Sequence, residues 1–163
     1  MSPRAGLRIC TFSRDRGFTI VEVVIVLLVV AVLSAIAIPA YNQWSQNTEY
    51  RESAKNIFYI LRETRSRAIT TNLEHRIEFE SSNRRYRVTR GDRSSNSIRW
   101  DMVVFDWIAL PPSVNMNTNT GMIHMNTNGT ANGGTIKIQD HMNATKYEVR
   151  IARTGRIRIP WLL

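Results

Sequence analysis

The sequence predicts an α+β fold, with a long amino-terminal α-helix in a membrane half and a water-facing half, the latter packed on a β-rich antiparallel globular domain. Three observations predict it. Between Phe18 and Ile38, 21 residues contain one charged side chain, Glu22. After Pro39 apolar residues recur at helical spacing, and from His75 the period changes to two. With 163 residues the chain is long enough for one ordinary domain and an appendage, and too short for two sizeable cores.

The first 17 residues read as a leader. Arg4, Arg8, Arg14 and Arg16 stand there against Asp15, so residues 1–17 carry +3 of the net charge of +9 and should remain on the cytoplasmic side of a membrane. The part beyond the span is then exported, and it is still basic. Cys10 is the only cysteine and lies in the leader, so the exported part has no internal disulfide and must be held by packing and hydrogen bonds.

Residues 18–40 follow as the transmembrane segment. A helix over Phe18–Ile38 is roughly 31 Å long, close to the thickness of a bilayer hydrocarbon core. A secretory signal has a shorter apolar run followed by small residues at its cleavage point, so the expected cut lies before the run. Span length and charge asymmetry alone would equally suit an uncleaved signal anchor. Pro39 removes one helical hydrogen bond and is expected to kink the helix.

Residues 41–72 should form the amphipathic half. Tyr50, Ala54, Ile57, Leu61 and Ala68 recur at threes, fours and one seven, a stripe suited to covering strands. Residues 73–163 should form the β-rich domain. Ile77 and Phe79 alternate with Glu78 and Glu80, Tyr86 and Val88 with Arg85 and Arg87, and "SSN" between them reads as a hairpin turn. "MVVFDWIALPPSV" reads as a strand stopped at Pro111–Pro112, with Trp100 and Trp107 as core or edge packing. Asn115–Gly134 reads as a surface loop with a short strand at Met122–Met125. "TIKIQ", "YEVRIA" and "RIRI" each alternate, and Thr154–Gly155 supplies the turn of a closing hairpin.

"RGFTIVEVVIVLLVVAVLSAIAIPAYNQW" resembles the amino-terminal segment of type IV pilins and of the pseudopilins of type II secretion. Gly17, Phe18, Glu22 and Pro39 fall on the leader's terminal Gly, the first mature Phe, the fifth-position Glu and the helix Pro of that family. The resemblance implies cleavage between Gly17 and Phe18 by a prepilin peptidase and N-methylation of Phe18. The protein is the substrate in that step, and no enzymatic activity and no cofactor of its own are expected.

An isolated carboxylate in hydrocarbon is costly and normally marks a function with a partner. Cleavage supplies one, the cationic amine of Phe18. One helical turn apart, Glu22 and Phe18 would share a face, so the carboxylate could meet its own amine or that of an adjacent subunit, which for pilins is the usual proposal for assembly register. A Glu that snorkels to the interface is the alternative.

The long helix, the β-rich domain and the final "GRIRI" together resemble the GspH/FimT branch of pseudopilins and minor pilins. That resemblance implies an inner-membrane, single-pass tip subunit of a pseudopilus, with its carboxy-terminal domain in the periplasm. Its partners would be other pilins or pseudopilins, the prepilin peptidase, the inner-membrane assembly platform and secreted cargo. The alternative is a minor type IV pilin that binds DNA. Gly155-Arg156-Ile157-Arg158 fits the Gly-Arg-x-Arg pattern of such pilins, and secretion pseudopilins share it.

Other chemistry finds little support. His75, His124 and His141 are far apart, and no HExxH, GxSxG or Asp-rich calcium loop is present. Asn128 and Asn143 stand in glycosylation sequons, a pattern given little weight because it is short and pilin-type export is chiefly prokaryotic. In the closing hairpin, Arg150, Arg156 and Arg158 should share the face opposite Tyr147, Val149 and Ile151, with Arg153 at the turn. Such a cluster suits bidentate phosphate contacts. It equally suits a solvated face that guards a sheet edge.

Overall fold

The computed structural model describes residues 18–159. The leader expected over residues 1–17, and with it Gly17, lies outside the described residues. By its internal contacts the chain divides into two compact units, 1–41 and 42–163.

In the first unit the described residues belong almost entirely to α1 (Ile20–Thr71), which continues into the second. Thr19 caps this helix: its hydroxyl accepts a hydrogen bond from the Glu22 N–H at 3.2 Å and satisfies a first-turn donor that has no carbonyl partner. From Ile20 to Ile38 the large apolar side chains are exposed, as a helix solvated by lipid requires. Among the described residues this is the one helix long and apolar enough to cross a membrane. Ser34 returns its hydroxyl to the Val30 carbonyl at 2.7 Å, so its polar group is satisfied inside the helix. Pro39 lies within α1, which runs on past it.

In the second unit the stripe expected from the spacing is buried. Tyr50, Ala54, Ile57, Leu61 and Ala68 all face inward, joined by Ser53 and Thr64. Thr64 stays satisfied in that setting by donating to the Ile60 carbonyl at 2.7 Å. Two four-stranded antiparallel sheets share a core with this stripe.

The first sheet has the order β3-β2-β1-β5. β1 (His75–Glu80) and β2 (Arg85–Arg90) form the expected hairpin, with Phe79 opposite Tyr86 and Glu80 opposite Arg85. Ile77, Phe79, Tyr86 and Val88 enter the core, while Glu78 bridges Arg87 at 2.5 Å on the outer face. β3 (Met102–Ala109) ends before Pro111 and forms the outer edge. Trp107 sits on that edge, with the Arg85 and Arg87 guanidinium carbons 4.4 and 4.6 Å from its ring centroid. Trp100 packs edge-on against His124, which lies in β5 (Met122–Met125).

The second sheet has the order β4-β6-β7-β8. Here the structure corrects the reading of Asn115–Gly134 as a loop with one strand. Asn115–Thr118 is β4, paired along its length with β6 (Gly134–Gln139). Met116 is its one buried large apolar residue and stands opposite Ile138. With Asn and Thr at the other positions the strand shows no apolar alternation, and the ladder to β6 defines it instead. β7 (Thr145–Ile151) and β8 (Ile157–Arg158) close the chain, β8 being shorter than the four-residue strand expected.

Candidate functional site

Two places in the chain gather the residues that the sequence singles out. At the amino-terminal end, Glu22 is exposed in the first turn of α1, where a carboxylate is favoured by the positive end of the helix dipole. Phe18 is exposed and precedes the helix. The helical relation expected between Phe18 and Glu22 is therefore not set by α1, because Thr19 takes the cap position and the helix starts at Ile20. In the uncleaved chain the Phe18 nitrogen is also a neutral amide. The pairing requires both the cut and an approach that the helix backbone does not impose.

The second place is the β7–β8 hairpin. Arg150 and Arg158 are direct cross-strand partners, and Thr135 of β6 stands opposite Arg150 on the other side. One face thus presents a row of Thr135, Arg150 and Arg158 across three strands. With Asn119, Thr154 and Arg156 these residues line an open groove of about 610 Å³. Three of the four arginines singled out from the sequence meet there. Arg153 does not line the groove; its carbonyl accepts from the Ala131 N–H at 3.0 Å, and its side-chain stem lies against Gly133.

The arginines of the groove are not equivalent. Arg150 donates to the Glu148 carboxylate at 2.5 and 3.2 Å, and Glu148 is largely buried. These hydrogen bonds, with the nearby charges of Arg150 and Lys137, hold the Glu148 carboxyl below the usual carboxylate range despite opposing desolvation. Arg156 and Arg158 are exposed, and their guanidinium groups make no ion pair or hydrogen bond within the described residues. Their positive charge is the part of the groove open to an external anion.

Gly155 explains the shape of the turn. It has φ +75°, and a Cβ on it would stand 1.9 Å from the Gly129 carbonyl oxygen. Gly129 has φ +79°, and its carbonyl accepts from Arg65 Nε of α1 at 2.9 Å. Asn128 builds that second turn by accepting from both the Thr130 N–H at 3.0 Å and the Thr130 hydroxyl at 2.7 Å, so "NGT" does structural work as a turn.

A prokaryotic N-terminal methylation motif matches residues 12–38, which include Gly17, Phe18 and Glu22. The fold is similar to that of the minor pseudopilin EpsH from the type 2 secretion system of Vibrio cholerae, at 14% identity and TM-score 0.58, over 69% of this chain and 97% of that one. The fold is type IV pilin-like. Escherichia coli GspH is similar at 12% identity and TM-score 0.57, over 71% of this chain and 89% of that one. The type IV minor pilin FimU of Pseudomonas aeruginosa is similar at 14% identity and TM-score 0.54, over 72% and 92%. No curated protein matches by sequence.

In this pilin-like fold Arg65 is the residue that sequence reasoning missed. It joins Arg62 of α1 and Arg156 in lining a second cleft of about 290 Å³ on the helix side of the β7–β8 turn. Its contact with Gly129 spans 64 positions, so no local pattern announces it. The paired signals available were two glycine turns, "NGT" and "TGR".

Proposed function

We propose that this pilin-like chain is a minor pseudopilin of a type II secretion system, acting as a structural and assembly subunit at the pseudopilus tip. It has no catalytic role. The observation that carries the reading is the methylation motif over residues 12–38, joined to a fold similar to two proteins named as pseudopilins or as GspH.

On this reading the precursor is held in the inner membrane by the apolar half of α1, with the leader cytoplasmic and the β-rich domain periplasmic. A prepilin peptidase cuts between Gly17 and Phe18, and the amine of Phe18 is methylated. Glu22 then finds that cationic amine, its own or that of a neighbouring subunit, which neutralises a carboxylate that is costly in hydrocarbon. The assembly platform moves the subunit into the filament, where the two β-sheets face other minor subunits and cargo. Deleting the gene should abolish secretion of the cargo enzyme while twitching motility persists. Loss of motility with intact secretion would assign the chain to a pilus instead.

A second reading has its own observation. Arg156 and Arg158 are unpaired beside an open groove, as a site for phosphate oxygens requires, and this supports a minor type IV pilin that binds DNA. Duplex DNA binding by the detergent-solubilised chain, weakened by changing both arginines to Gln, separates this reading from the first.

A further inference from the structure

A third electropositive cleft, of about 500 Å³, lies where the last turns of α1 meet the start of β1, the end of β2 and the start of β3. Arg67, His75, Arg90, Met102 and Val103 are among its walls. Arg90 stands in an unusual environment. Its Nε is buried with no hydrogen-bond partner, and its Nη2 points at the Met102 sulfur. A thioether is a weak acceptor, so the Nε–Nη2 edge of a half-buried guanidinium lacks any oxygen among the described residues. Buried donors are almost always satisfied, and this one carries a full charge.

None of the neighbouring acids pairs with Arg90 among the described residues. Asp92 takes the N–H groups of Ile98 and Arg99 and bridges Arg93, Glu63 bridges Arg67 at 2.7 Å, and Asp101, which shares a cleft with Arg90, takes the Trp100 N–H at one oxygen and makes no ion pair among the described residues. His75 donates from Nδ1–H to the Leu73 carbonyl 2.9 Å away, and burial together with the charges of Arg90 and Arg67 pushes its pKa down.

The missing acceptor has a definite shape. The Nε–Nη2 edge of a guanidinium is one that a carboxylate takes side-on with two parallel bonds. Beside it, Met102 and Val103 are 58% and 50% exposed on the outermost strand of the sheet, an apolar rim open to approach from outside. A free ion has no use for that rim, whereas the methylene stem of an acidic side chain would cover it. We infer that this cleft receives an Asp or Glu side chain of a partner protein, which displaces the Met102 thioether from the Nε–Nη2 edge, takes Arg90 as its bidentate anchor, and lays its stem on Val103 and the displaced Met102 side chain. The site is separate from the β7–β8 groove and independent of the function proposed for it.

The test uses the detergent-solubilised full chain labelled at methionine methyls, with the Met102 signal assigned by Met102→Leu. N-acetylglutamate N-methylamide should move the Met102 methyl resonance saturably, and the neutral glutamine analogue should bind at least tenfold more weakly. Arg90→Gln should abolish the response, and Arg90→Lys, which keeps the charge and loses the fork, should weaken it at least tenfold should the Gln variant not fold. Arg156→Gln/Arg158→Gln should leave it unchanged. Equal responses to the glutamate and glutamine analogues, or insensitivity to both Arg90 variants, would overturn the inference. A response to inorganic phosphate with none to the glutamate analogue would do the same, as would one seen only after Asp101→Asn, since Arg90 would then belong to Asp101.

Discussion

The Gly129 carbonyl oxygen lies where the Cβ of any other residue at position 155 would have to go, at a separation of 1.9 Å. Two turns distant in sequence are thereby pressed together, and Arg65 of α1 closes the contact from the helix side. The Gly-Arg-Ile-Arg stretch owes its glycine to this packing, whatever its arginines bind.

Gly155→Ala should therefore destabilise the domain by about 2 kcal/mol or more, from a positive φ and a backbone clash together. A thermal melt of the detergent-solubilised chain should shift down by about 2–4 °C per kcal/mol. Gly121→Ala, where an added Cβ meets nothing within 4 Å, is the matched control and should leave the midpoint in place.

Arg65→Met keeps the apolar stem and removes the donor to Gly129. The expected loss is about 1 kcal/mol, the net worth of a part-buried hydrogen bond. Combined with Gly155→Ala it should cost less than the sum of the two, because both changes act on one contact, and a double-mutant cycle measures that coupling.

Acid should weaken the fold in two stages. His75 and His124 have their pKa values pushed below the usual histidine value of 6.5, in both cases first by burial. The unfolded chain thus takes up protons before the folded one does, and stability falls as the pH drops below about 6.5. Asp140 and Glu148 are also held low, Asp140 chiefly by the Ala144 N–H and Glu148 by Arg150. Their contribution is present above about pH 4 and is lost as the pH falls through their folded values. His75→Asn should remove part of the first stage and leave the second intact, read as thermal midpoint against pH.

Most of this architecture could be read from the chain because period and burial agree. The α1 stripe from Tyr50 to Ala68 and the pairs Phe79–Tyr86 and Ile151–Ile157 are placed by side chains whose own polarity demands a core face. β4 escaped for the opposite reason, since its register comes from backbone bonds to β6 and its sequence is Asn-Met-Asn-Thr. The groove was half legible. Alternation placed Arg150 and Arg158 on one face, but Arg153 was lost to the turn, and the Glu148 carboxylate that occupies Arg150 was not foreseen. Arg65 and Arg90 owe their settings to contacts far along the chain, which no local spacing encodes.

If the groove binds DNA, affinity should fall steeply with salt, and Arg156→Gln/Arg158→Gln should reduce the slope of log K against log salt by about two units. Glu148→Gln should strengthen binding by releasing Arg150. Equal binding by wild type and the arginine double variant, measured by fluorescence anisotropy at two salt concentrations, would leave the groove as a solvated face.

The central claim concerns maturation, and the amino-terminal mass of the chain recovered from cells containing a prepilin peptidase tests it most directly. The account predicts a chain that begins at N-methylated Phe18, with Glu22→Ala processed in the same way yet missing from the filament. A chain that still begins at or before Gly17 would contradict it.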